Sequence, residues 1–217
     1  MNKKTEQLEV WSGEFGKEYT DRNAKSLDDI EQYYIKNFGL SRIEMNRQFL
    51  GDLSQDIRIL EVGSNVGNQL LCLQKMGFSS LYGIEIQSYA VEMAKQRTKN
   101  INIIQGSAFD IPFKDGFFDL VFTSGVLIHI APSDIQAILK EIHRCSKKYI
   151  WGYEYYADSY TEIEYRGEKN LLWKTNFSQL FLDSFQNLKL VKQKIFPYAG
   201  DNKSDVMYLL EKSCSLE

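Results

Sequence analysis

Ile57-Arg58-Ile59-Leu60-Glu61-Val62-Gly63-Ser64-Asn65-Val66-Gly67-Asn68 is the stretch that decides the fold. Ile57, Ile59, Leu60 and Val62 form a short apolar run, β-branched at three of the four positions, which suits a buried strand. Gly63 and Gly67 bracket a turn, and Gln69-Leu70-Leu71-Cys72-Leu73 opens a helical pattern. The unit is therefore strand, glycine loop, helix. Glycines let a backbone approach a ligand closely because no Cβ intervenes. The start of the helix leaves unpaired N–H groups facing that ligand.

A dinucleotide site wants Gly at relative positions one, three and six. Counting from Gly63, those last two positions hold Asn65 and Asn68, which disfavours an NAD-dependent oxidoreductase. The pattern present is Glu-x-Gly-x-x-x-Gly, running from Glu61 to Gly67. Here the sequence resembles the class I S-adenosylmethionine-dependent methyltransferases. The resemblance implies that Glu61 helps hold the amino-acid end of the cofactor, with Gly63, Ser64, Asn65 and Gly67 forming the loop. It also implies S-adenosylmethionine as cofactor and S-adenosylhomocysteine as product. Leu81 to Ile86 reads as the next strand and carries Glu85 near its end, with Ile86 following. A carboxylate about 20 residues past the loop is placed to accept both ribose hydroxyls of a nucleoside. Gly106-Ser-Ala-Phe-Asp-Ile-Pro-Phe resembles the family's adenine-binding turn, which points to Ser107, Ala108 and Phe109.

Strand and helix then alternate. Ser88 is a candidate cap for a helix from Tyr89 to Lys99, and Ile101 to Gln105 reads as a third strand. Phe117 to Ser124 reads as a fourth, and its end at Ser124 and Gly125 lies where a family member's strand edge meets the transferring methyl. A helix over Ile135 to Cys145 and a fifth strand over Lys148 to Tyr153 follow. A short helix over Ser178 to Phe185 and strands over Leu188 to Phe196 and Val206 to Glu211 close the chain. Short connections between alternating elements imply a parallel sheet with helices on both faces. The fold expected is a Rossmann-like class I methyltransferase fold: a seven-stranded, mostly parallel sheet with an antiparallel last strand.

Residues 1–50 carry no strand pattern. Trp11, Phe15 and Tyr19 repeat at helical spacing among short pieces, and Ser26 heads a helix that Gly39 stops. This segment reads as an N-terminal helical lid over the cofactor, with Tyr19 and Asn23 reaching it, or as a plain collar over the sheet edge. Residues 51–217 then form the S-adenosylmethionine-binding domain. Within it, residues 154–176 are a Tyr-rich insertion, long enough for a compact domain to suggest function. Glu154, Tyr155, Tyr165, Arg166 and Lys174 are candidates for the substrate; a guanidinium grips a carboxylate or phosphate well. His129 is the candidate general base, and His143 reads as structural.

Composition narrows the partners. A net charge of −3 and a pI of about 5.6, without a long basic run, disfavour nucleic acid. The absence of an Asn-Pro-Pro-aromatic tetrad after the fourth strand disfavours it further. The Met-Asn-Lys-Lys start is not a signal peptide, and no apolar run approaches a membrane span of roughly 18 residues. Cys72, Cys145 and Cys214 are scattered, fit no metal spacing and suggest a reduced, cytoplasmic setting. No metal is expected, and nothing fixes the oligomeric state. The aromatic N-terminal stretch, with Tyr-Glu-Tyr-Tyr, Glu-Ile-Glu-Tyr-Arg-Gly and Leu-Trp-Lys-Thr-Asn-Phe, resembles the pseudaminic acid biosynthesis-associated methylases. That implies a small-molecule acceptor from sugar biosynthesis, a nonulosonic acid or its nucleotide-activated form. A different small carboxylate, amine or phosphorus-containing metabolite stays open, as does a non-catalytic cofactor-binding protein.

Overall fold

The computed structural model describes residues 5–200 and 203–213; Cys214 and the first four residues lie outside them. Five strands run parallel: β1 (Arg58–Val62), β2 (Ser80–Glu85), β3 (Ile101–Gln105), β4 (Phe118–Ser124) and β5 (Ser146–Tyr155). The chain ends in β8 (Leu188–Pro197) and β9 (Ser204–Lys212). The sheet order is β3-β2-β1-β4-β5-β9-β8. The last strand, β9, is the antiparallel one and lies between β5 and β8. The order reverses direction beside β1, so a crevice opens between the carboxyl ends of β1 and β4.

Strand alternation sorts the core into two layers. Leu60, Val62, Val121, Ile150 and Tyr208 face one side, under α7 (Ile135–Cys145) and α8 (Phe177–Ser184). Ile59, Leu120, Phe122, Trp151 and Met207 face the other. That side is covered by α4 (Arg42–Leu50), α5 (Asn68–Lys75) and α6 (Ser88–Arg97). Three helices precede α4: α1 (Glu6–Ser12), α2 (Glu14–Asn23) and α3 (Leu27–Phe38). Ser26 caps α3 through a reciprocal box with Asp29, and Gly39 ends it in the left-handed conformation at φ 72°, as the sequence implies. The cap of α6 is Gln87 rather than Ser88: its amide oxygen accepts from the Tyr89 N–H. Within the Tyr-rich insertion two short strands pair, β6 (Thr161–Glu162) and β7 (Trp173–Lys174). Among the described residues no helix is long and apolar enough to cross a membrane. His143 is stacked on Phe185 at 4.0 Å and bonded to Asn187, in keeping with a structural role.

Candidate active site

A cavity of about 590 Å³ lies over the carboxyl ends of β1, β2, β4 and β5. That is within the usual range for small-molecule sites. Its roof comes from the N-terminal helices, through Leu8, Trp11, Tyr19 and Asn23. Tyr165 and Arg166, from the β6–β7 hairpin, close one end.

The glycine loop forms the floor. Gly63 has φ 73°, and a Cβ there would meet Val126 Cγ2 at 2.6 Å. The residue is bare because another loop, not only a ligand, packs on it. Glu61, Gly63, Ser64 and Asn65 line the cavity, whereas Gly67 faces Ile103 and Thr98 and only shapes the turn. Glu61 is buried beneath the loop, and burial pushes its carboxyl well above the usual range, with Arg42 pulling it back. Glu61 Oε2, Ser64 Oγ, Asn65 Oδ1 and Gln69 Oε1 are buried without a hydrogen-bond partner. Three of those four atoms can only accept. A buried acceptor without a donor is costly, so this end calls for a ligand rich in N–H and O–H groups. The ammonium and ribose hydroxyls of S-adenosylmethionine are such groups, and the residues present fit it. Glu85 lies beside them, with Oε2 accepting from Asn65 N at 2.8 Å and Oε1 from Gln87 N at 2.8 Å. Burial raises its pKa while those bonds oppose the rise. Each oxygen keeps a lone pair for a further donor.

Ile86, Ala108 and Phe109 also line the cavity, as do Ser124 and Gly125 at the end of β4. Ser107 does not. Its hydroxyl accepts from the Phe109 N–H at 3.2 Å and closes the turn on itself, so the sequence assignment there gives way to a local structural role.

His129 lines the same cavity, 8% exposed, against Trp11 at 4.4 Å and Tyr165 at 5.4 Å between ring centres. Its Nδ1 lies 2.7 Å from the Leu171 carbonyl. A carbonyl only accepts, so Nδ1 carries the proton and Nε2 is a bare acceptor. Burial lowers its pKa to about 4. It is therefore neutral near pH 7, but a weaker base than a residue near neutrality would be. Tyr155, Tyr165 and Arg166 line the cavity with it. Glu154 does not. It is fully buried and its carboxylate accepts from the N–H groups of Val126 and Ile128, so it pins the turn that carries His129. Lys174 lies outside the lining, over the Tyr155 ring at 5.5 Å.

Several residues with no sequence signal complete the site. Arg42, the first residue of α4, is fully buried. It donates to Tyr34 Oη at 3.1 Å and Ser124 Oγ at 3.2 Å, with its guanidinium 3.9 Å from the Tyr153 ring centre. Gln87 donates from one amide to the carbonyls of Ser12 and Gly13, at 3.0 and 2.9 Å, tying the roof to the start of α6. Asp205, at the start of β9, lines the cavity while 1% exposed, beside Tyr153 and Tyr198. Only the fold brings Arg42 and Asp205, distant in sequence, to the same tyrosine, Tyr153.

Residues 60–149 match the family described as "Methyltransferase domain". Phosphoethanolamine N-methyltransferase of Plasmodium falciparum is 26% identical over 136 residues, covering 60% of this chain and 50% of its own length. The chain spans about half the length of the curated relatives it matches. Magnesium protoporphyrin IX methyltransferase from Synechocystis, solved with bound S-adenosylmethionine, superposes with a TM-score of 0.69 at 12% identity. The match covers 98% of this chain and all of that one. A Burkholderia thailandensis 1,6-didemethyltoxoflavin-N1-methyltransferase gives 0.69 at 14% identity, covering 94% of this chain and 88% of that one. That structure holds 1,6-didemethyltoxoflavin and S-adenosylhomocysteine. At these identities the structural likeness is one of fold, the Rossmann-like methyltransferase fold.

Proposed function

We propose that the protein transfers a methyl group to a small polar metabolite, from the premise that the chain carries a class I S-adenosylmethionine-dependent methyltransferase domain. The observation that carries the reading is the split character of one roofed cavity. Unpartnered buried acceptors cluster at the glycine loop, and a histidine with a bare Nε2 lies beside Tyr165 in the same cavity. The roof of α1 and α2 with the β6–β7 hairpin favours a small acceptor over a macromolecule.

When bound, S-adenosylmethionine supplies an electrophilic methyl group on a sulfonium. The protein's part is to bind, orient and keep water out. Glu61 receives the ammonium and Glu85 the ribose hydroxyls, while Ala108 and Phe109 flank the adenine. Tyr19 and Asn23 lie on the roof that covers the nucleoside. Holding two reactants in line contributes up to about 7–11 kcal/mol at the barrier. His129 Nε2 accepts the acceptor's proton-bearing group and orients it. With a pKa of about 4, it does not ionise a hydroxyl in advance. Arg166 at the rim suits a carboxylate or phosphate on the acceptor, and Tyr155 and Tyr165 shape its seat.

Within that class we favour a surface-sugar precursor, a nonulosonic acid or its nucleotide-activated form, because the resemblance extends to the aromatic N-terminus and the Tyr-rich insertion. The similarity to a phosphoethanolamine methyltransferase supports a second reading, a small amino-alcohol phosphate. Incubation with methyl-labelled S-adenosylmethionine and a panel of nonulosonic acids, their nucleotide-activated forms and phosphoethanolamine tests both. Label in one of the sugars is the expected result. Label in phosphoethanolamine alone selects the second reading. Tight cofactor binding with no label in any panel member or in a metabolite extract would leave a binding protein.

A further inference from the structure

The cavity has a second unmatched acceptor, far from the first group. Asp205 is 1% exposed and lines the cavity. Its Oδ2 is taken up: Tyr153 and Tyr198 donate their hydroxyls to it, the latter at 3.0 Å. Its Oδ1 is buried and has no hydrogen-bond partner. The neighbouring cations do not supply one. Arg42 spends its two terminal nitrogens on Tyr34 and Ser124, and the charge of Lys174 favours the ionised form of Asp205. Leaving a buried carboxylate oxygen without a donor is costly, and Asp205 stands on the cavity wall.

Strand order says which ligand meets it. Glu61 is on β1, whereas Asp205 is on β9, and β4 and β5 stand between. At about 4.8 Å per strand the two carboxylates lie roughly 14 Å apart across the sheet. The cofactor's donors are met by Glu61 and Glu85 at the first end. Tyr33, Tyr34, Tyr155 and Tyr198 line the arm around Asp205, aromatic walls that suit a compact organic group.

We propose that Asp205 is the acceptor-binding carboxylate, and that the methyl acceptor carries a hydroxyl or protonated amine which donates to its Oδ1. The inference rests on the methyltransferase reading and narrows its substrate class. With Arg166 at the rim of the same cavity, the matching molecule is one bearing an acidic group and, several atoms away, a hydrogen-bond donor. Asp205→Asn is the nearly isosteric test, since it can keep an acceptor toward the two tyrosines and turns a donor toward the cavity.

The full chain, loaded with S-adenosylhomocysteine, is crystallised and soaked separately with ethanolamine, glycerol and acetate. The same three probes are titrated into wild type and Asp205→Asn by calorimetry. Either ethanolamine or glycerol is expected within hydrogen-bond distance of Oδ1, with at least tenfold weaker binding in Asp205→Asn and unchanged S-adenosylhomocysteine affinity. Ethanolamine alone identifies an amine acceptor; glycerol identifies a hydroxyl. If Oδ1 engages a protein donor in the loaded crystal, if acetate alone binds there, or if neither donor probe does, the proposal is overturned. Because the wild-type crystal reads the contact directly, a variant that fails to fold does not obscure it. Failure of S-adenosylhomocysteine to bind at all would instead count against the methyltransferase reading.

Discussion

Two carboxylates and a histidine set the chemistry at the scale of single residues, and burial acts on them in different ways. Glu85 already accepts one backbone N–H on each oxygen, so an alanine there would loosen the loop as well as the ligand. Glu85→Gln is the cleaner change. A charged hydrogen bond contributes about 1.5–3 kcal/mol. We expect Glu85→Gln to weaken S-adenosylmethionine binding at least tenfold by calorimetry, and equal affinity would remove Glu85 from the ribose site. His129 makes a prediction about stability. In the unfolded chain it takes a proton below its ordinary value of 6.5, whereas in the fold burial holds that step to about 4. Between those values the unfolded state binds more protons, so this contribution is fully present above pH 6.5 and is lost as pH falls toward 4. At ~1.4 kcal/mol per pH unit it is on the order of 3 kcal/mol. Glu154 and Asp205, raised to about 7 and about 6, act in the opposite sense and stabilise the fold as pH falls. Comparing wild type with His129→Gln cancels them. The urea midpoint of wild type is expected to fall more steeply than that of the variant from pH 7 to 4.5, and parallel curves would refute the assignment.

At the scale of elements, α1 and α2 form a roof held by few bonds. Gln87 reaches Ser12 and Gly13, Asn65 Nδ2 donates to Thr20 Oγ1 at 2.9 Å, and Asn68 Nδ2 donates to the Asn23 carbonyl at 2.7 Å. These polar clasps, with the ring contacts of Trp11 and Phe15, hold the roof over a cavity rather than over a packed core, which is the construction of an element that opens locally. S-adenosylmethionine should slow amide exchange across residues 6–23. Gln87→Ala, which loses two bonds of about 1 kcal/mol each, should speed it at least tenfold in the free protein. Identical exchange with and without cofactor would make the segment a fixed collar. The clasps also explain what could be read in advance. Glu61, Gly63 and Glu85 belong to one strand–loop–helix–strand unit, whose spacing is local and therefore visible in the chain. The capping box of α3 and the stop at Gly39 are equally local. Arg42 and Asp205 have no such signature. One looks like any helix charge, and the other follows a turn. Asp205 is placed by β9 pairing with β5, Tyr155 opposite Asp205 across 50 residues of chain, and Arg42 by its contacts with Tyr153 and Ser124, more distant still. Ser107 and Glu154 fail for the complementary reason: position in sequence places them near the site, but backbone N–H groups claim them first.

At the scale of the molecule, the two ends of the cavity are joined through its cover. The roof touches the hairpin where Phe15 meets Tyr165 at 6.1 Å and where Gln7 Nε2 donates to the Asn170 carbonyl at 2.9 Å. Beneath them Trp11 lies on His129, and His129 is fixed in turn by Leu171 next to β7. The sequence suggests an acceptor insertion separable from the cofactor lid. The contacts instead make the cover one body, with an aromatic hinge of Trp11, Phe15, Tyr165 and His129. An acceptor that orders the hairpin thereby favours the closed roof, and a bound cofactor that orders the roof prepares the acceptor seat. Tyr165→Ala tests this coupling, because Tyr165 sits on the hairpin while α1 lies across the cavity from the sheet. We expect exchange over residues 6–12 to rise and S-adenosylmethionine to dissociate several-fold faster. The amides of β1 and β4 should stay as protected as in wild type, since neither strand pairs with the hairpin, which forms its own two-stranded sheet. Faster exchange confined to residues 157–172, with the cofactor off-rate unchanged, would mean that the hairpin and the roof act independently.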